Sequence, residues 1–133
     1  MMTNQLKIVR PVNPTETQQN LSYFVGISRD TVGAKHISMN IVVIPAGAEA
    51  EPHYHVDYET AIYLLKGRVE TRYGTDLSQT CLHLAGEFLY IPPGVPHQPR
   101  NLSDEEDAIA IVARNDANER ENVRLYRVVD DNA

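Results

Sequence analysis

The stretch GEFLYIPPGVPHQPRN, Gly86 to Asn101, sets Gly86, Pro92, Gly94, His97 and Asn101 in the spacing G-x5-P-x-G-x2-H-x3-N. Its apolar run from Phe88 to Ile91 reads as a strand. The prolines and Gly94 then fix a tight, rigid turn. A return strand follows, with His97 near its start. A companion pattern stands upstream. Gly47 is followed by five residues, by His53-Tyr54-His55, by three residues and Glu59, and then by Gly67 after the run Thr60 to Lys66.

Residues two apart on a strand share a face, so His53 and His55 project side by side. Glu59 has the same parity and joins them if the chain between stays extended. Imidazole nitrogens with one carboxylate oxygen suit a divalent transition metal. An H-x-H pair alone is weak evidence, because such a pair is often only a surface feature.

Taken together, the two patterns resemble the two motifs of the cupin superfamily, and the second matches at all five named positions. The resemblance implies an all-β fold, a cupin-type double-stranded β-helix (jelly-roll) barrel. It also implies metal ligation by His53, His55, Glu59 and His97, with Fe, Mn, Ni or Zn as the ion. Four protein ligands leave two positions for water, substrate or dioxygen. One departure stands out. The family pattern usually places six residues between the glutamate and the next glycine, and here there are seven. Either a bulge at Thr60-Ala61 absorbs one, or Thr60 holds the glutamate's position and only three protein ligands remain. The bulge is favoured, because a carboxylate is the better ligand.

The rest of the chain agrees with an all-β reading. Short runs rich in Val, Ile, Leu and Tyr alternate with turn residues, at 21–28, 37–45, 59–67, 68–74, 79–85, 87–92, 108–114 and 123–129. Such spacing favours a sandwich or barrel over a parallel α/β sheet. Residues 1–20 read as a polar N-terminal arm and 21–133 as one barrel. The connector at 115–122 has room for one helical turn.

A chain of 133 residues, 42% hydrophobic, suffices for one compact core. Its net charge of -6 gives no general attraction to nucleic acid or an anionic membrane. The lone Cys81 excludes an internal disulfide and fits a cytoplasmic setting. A buried, inert thiol is its default reading. His36 and His83 lack partners at ligand spacing and read as ordinary polar positions. Tyr63, Phe88 and Tyr90 lie on the motif strands and are candidates for lining a substrate pocket. Gln98 and Arg100 flank His97.

These features predict a metal-dependent enzyme acting on a small organic molecule, a dioxygenase or a Lewis-acid isomerase or cyclase. The alternative is a non-catalytic small-molecule or metal-binding module. A homodimer is expected, since open sheet edges and the polar arm offer unpaired backbone. Proton competition predicts metal release from about pH 6 downward.

Overall fold

In a computed structural model, residues 5–11, 15–16, 21–118 and 123–128 are described. Eleven strands and one short helix appear among them. They are β1 (Thr15–Glu16), β2 (Ser22–Ile27), α1 (Arg29–Val32), β3 (Ser38–Ile44), β4 (His53–His55), β5 (Thr60–Lys66), β6 (Arg68–Tyr73), β7 (Gln79–Leu84), β8 (Phe88–Ile91), β9 (His97–Asn101), β10 (Ala108–Arg114) and β11 (Val123–Leu125). Seven of the eight runs read from the sequence become strands within a residue or two. The eighth is a strand only over Val123–Leu125. Residues 115–118 form no helical turn, and 119–122 lie outside the described residues. So does most of the N-terminal arm, whose Thr15–Glu16 pairs with β2 of its own chain.

The strands form two antiparallel sheets, ordered β1-β2-β3-β10-β5-β8 and β11-β4-β9-β6-β7. Their inner faces meet in one core, as alternation along the strands requires. β10 shows the pattern most plainly: Ala108, Ala110, Val112 and Arg114 are buried, and the residues between are half-exposed. The core is graded from end to end. Ile44, Leu64, Val69 and Ala108 make one end apolar, and burial of a side chain such as Leu64 stabilises by roughly 1.5–3 kcal/mol. The opposite end collects polar side chains from both sheets, with Thr60 and Arg114 from the larger and the three motif histidines from the smaller.

Two backbone devices fix the registers. The pairing of β5 with β10 runs from Arg114↔Thr60 to Ala110↔Leu64 and then jumps to Ile109↔Lys66, leaving Leu65 as a bulge. Gly67 follows at φ +102, where a Cβ would stand 2.9 Å from that of Ala108. Asn101 is the second device. It is buried, and its Nδ2 donates to the carbonyls of Ile44 (3.0 Å), Pro45 (3.3 Å) and Glu106 (2.8 Å). Its Oδ1 accepts from the Ser103 amide at 2.9 Å. One side chain thus ties the end of β3 to the β9–β10 loop, and this explains the asparagine of the downstream pattern.

Candidate metal centre

Strands β4 and β9 are neighbours, with His53 directly opposite His97. Parity adds His55 on the same inner face. The turn of the downstream pattern is fastened to this strand, since the Gly94 amide donates to the His55 carbonyl at 2.8 Å. Gly94 holds φ +77, a left-handed conformation natural to glycine. All three imidazoles are buried, each about 3% exposed. Their ring centroids lie 4.3–5.2 Å apart, and one ligand nitrogen from each comes within 4.8 Å of the others.

The hydrogen bonds orient these rings. His53 Nδ1 donates to the Glu51 carbonyl at 2.7 Å, and His97 Nδ1 to the Val95 carbonyl at 2.9 Å. His55 Nδ1 meets Thr60 Oγ1 at 3.0 Å, and its Nε2 is a buried atom with no hydrogen-bond partner. A ring that gives its Nδ1 proton to an oxygen presents a lone pair at Nε2. Three such nitrogens, one of them otherwise orphaned, suit a divalent ion. Burial favours the neutral rings this needs. It lowers the His53 pKa to about 4. It lowers that of His55 further, with the charges of His97, Arg114 and His53 adding to the effect. At His53 and His55 the proton is thus a weaker competitor for an ion than at an ordinary imidazole.

Glu59 is not brought to the histidines. The four residues between His55 and Thr60 make a tight turn, with Asp57 at φ +66. Buried Tyr58 stacks on the His55 ring, with centroids 5.1 Å apart. β5 then begins with Thr60 facing inward, 1% exposed. Glu59 is left outside, where its amide donates to Asn115 Oδ1 at 2.8 Å and its Oε1 accepts from the Tyr90 hydroxyl at 2.7 Å. The strand does carry a bulge, but at Leu65, beyond the site, rather than at Thr60-Ala61. Thr60 takes the inward position, with six residues between it and Gly67, which is the glutamate's usual place.

The same parity decides Tyr63, Phe88 and Tyr90. Tyr63 pairs with Phe88 and Ala61 with Tyr90 across β5 and β8. All share the outer face, where Tyr63 and Phe88 rings touch at 4.8 Å and Phe88 is 81% exposed. None of them lines the cavity shared by the three histidines, and Tyr90 alone borders the neighbouring pocket that His97 also lines. Gln98 also faces away, donating to Glu49 Oε1 and accepting from Arg72.

The cavity's walls include residues that the sequence reading passed over. Arg114 lines it, buried, with its guanidinium donating to the Tyr23 hydroxyl at 2.5 Å. An arginine on the inward parity of the run AIAIVAR was the available signal. His83 lines it too, with Nε2 donating to the Glu87 carbonyl at 2.6 Å. The space open to water centres is about 60 Å³, room for an ion and a few further atoms, since one water needs about 10–15 Å³.

A cupin-domain family pattern matches residues 40–114. This chain belongs to the cupin family. It is 35% identical over 77 residues to the polyketide synthase CurC of Streptomyces cyaneus, a match that covers 57% of this chain and 47% of that protein. The cupin chain thus spans about half the length of that relative. Among solved structures, the oxalate decarboxylase of Lactobacillus farciminis in its formate complex superposes with a TM-score of 0.71. It is 22% identical, over 86% of this chain and 33% of that one. The cupin domain of Schizosaccharomyces pombe Cnp3 gives a TM-score of 0.62 at 19% identity, over 79% and 69% of the two chains. At these identities the likeness shows the fold. Among the described residues, no helix is long and apolar enough to cross a membrane.

Proposed function

We propose that this cupin is a metal-dependent enzyme acting on a small organic molecule, with the ion held by His53, His55 and His97. The observation that carries the reading is the convergence of three buried imidazoles, one with an orphaned Nε2. A divalent ion there supplies a Lewis acid that polarises a carbonyl or stabilises an enolate, and iron would also support dioxygen chemistry. The chain's part is to orient and to exclude water. Thr60 and two backbone carbonyls hold the rings, and apolar side chains such as Ile62 and Leu89 wall the cavity. The similarity to a polyketide synthase supports an enolisable carbonyl substrate. The candidate ions remain Fe, Mn, Ni and Zn, with manganese centres being those of Bacillus subtilis oxalate decarboxylase, a protein of the same fold.

A non-catalytic binding module is the second reading. It is favoured by the absence, among the described residues, of any acidic side chain lining the cavity, which leaves few groups to move a proton. Metal analysis of the purified protein separates these readings. It is followed by dioxygen uptake and product detection with diketones, catechols and enolisable acids. Turnover that depends on the ion supports the enzyme. Bound metal without turnover of any of them supports the module, and absence of metal rejects the enzyme. A homodimer belongs to the same proposal, supported by the exposed apolar side chains of Phe88, Tyr90, Met39 and Leu65 on the outer face of the larger sheet. A cytoplasmic location completes it, resting on the single cysteine.

A further inference from the structure

Position 60 decides the charge of the site. The cupin pattern places a carboxylate with six residues between it and the glycine, and here a threonine stands there. Thr60 faces the cavity, and its Cα partner across β10 is Arg114, whose buried guanidinium lines the same space. Among the described residues, none lining the cavity is acidic. With three neutral imidazoles, these residues offer a divalent ion no anionic donor, and the guanidinium of Arg114 lies in the same wall. A glutamate at 60 would supply the counter-charge from the chain itself.

We propose that the cavity is a seat for a small organic carboxylate, which lies beside Thr60 and against Arg114 and so brings the anionic oxygen that position 60 lacks. This rests on the metal-binding reading above and names the substrate class for that site. Three features fit. Arginine pairs with carboxylates through paired, charge-assisted hydrogen bonds. The Thr60 hydroxyl, while accepting from His55 Nδ1, keeps its own hydrogen to donate to a ligand oxygen. The inner space of about 60 Å³ admits a carboxylate head and little more, and a neighbouring space of about 290 Å³, which shares Thr71, Leu89, Ile91 and His97 with it, has room for the rest of a longer substrate.

The test is a calorimetric titration of the full chain, freed of metal by a chelator, with Zn(II) or Mn(II). It is run in acetate and, at equal ionic strength, in chloride. Acetate is expected to tighten metal binding roughly ten- to hundredfold, the range of one charge-assisted hydrogen-bonded contact. Thr60→Glu should bind the metal tightly in chloride and gain less than about twofold from acetate, its own carboxylate filling the seat. Arg114→Gln should still bind metal and lose most of the acetate effect. If that variant fails to fold, Thr60→Glu against the unaltered chain carries the comparison. Metal bound equally in both salts overturns the seat and leaves the metal site standing, as does a Thr60→Glu protein that responds to acetate like the parent. No metal bound in either salt overturns the metal reading itself, and the seat with it.

Discussion

Acidifying the metal-free protein should destabilise it steeply, through the buried histidines. His53 falls from the ordinary 6.5 to about 4, first because burial strips its charged form of water. In the folded chain it therefore resists protonation, while in the unfolded chain it takes up a proton near pH 6.5. Between those values the unfolded state binds more protons, so stability is full above about pH 6.5 and is lost as pH falls toward 4. At about 1.4 kcal/mol per pH unit, the full loss from His53 is about 3 kcal/mol. His55 is lowered in the same direction and for the same leading cause, so the two rings together give a slope of about 3 kcal/mol per pH unit. Against a typical total of about 5–15 kcal/mol, that is a large share of the stability lost in mild acid. Urea denaturation of chelator-treated protein, repeated at several pH values from about 7 to about 4.5, measures the slope. His53→Gln should flatten it by about half. Saturating metal should raise stability across this range, since the folded rings that it binds are already neutral there. A metal-free protein equally stable at both ends of the range would refute the placement of these histidines in a dry interior.

Thr60→Val and Glu59→Gln should separate cleanly. The first removes the hydroxyl that orients His55 and should weaken the metal roughly ten- to hundredfold. The second touches only the exposed bond to Tyr90 and should leave metal affinity unchanged, at a stability cost under about 1 kcal/mol. Asn101→Ala strands several buried backbone groups at once and should cost about 2–4 kcal/mol in urea denaturation. Light scattering should give about twice the 14.9 kDa chain mass, and Phe88→Asp should return a monomer if the apolar outer face is the interface. A monomeric parent protein would reject the pairing.

The strands were legible because their apolar alternation is strong, and the three histidines because glycine and proline fix their spacing. What the sequence hid was a choice of one residue. Glu59 and Thr60 are adjacent, and which of them faces inward depends on whether the surplus residue falls after them or in the turn before. No local pattern marks the turn as that place, and a carboxylate looks like the better ligand. The choice at Glu59 carried Tyr63 with it, and through cross-strand pairing Phe88 and Tyr90, to the outer face. Arg114 was missed for another reason. A charge at the end of an apolar run reads as solvated, and only burial by Tyr23 and Tyr58, distant in sequence, shows otherwise. The short β4 and β1 carry too few residues to show any alternation.

The bulge at Leu65 has an implication for how such a site changes by mutation. Because it lies past Leu64, all of Thr60, Ile62 and Leu64 keep their inward positions. Deletion of Thr60, paired with insertion of one residue in the turn between His55 and Glu59, would preserve the length of the chain and the identity of nearly every side chain. It would also move Glu59 into the inward position, so that it faces the histidines. The boundary between a three-histidine centre and a three-histidine-plus-carboxylate centre is therefore crossed here by an insertion and a deletion. Comparisons that score only substitutions at aligned columns would record the two as the same site.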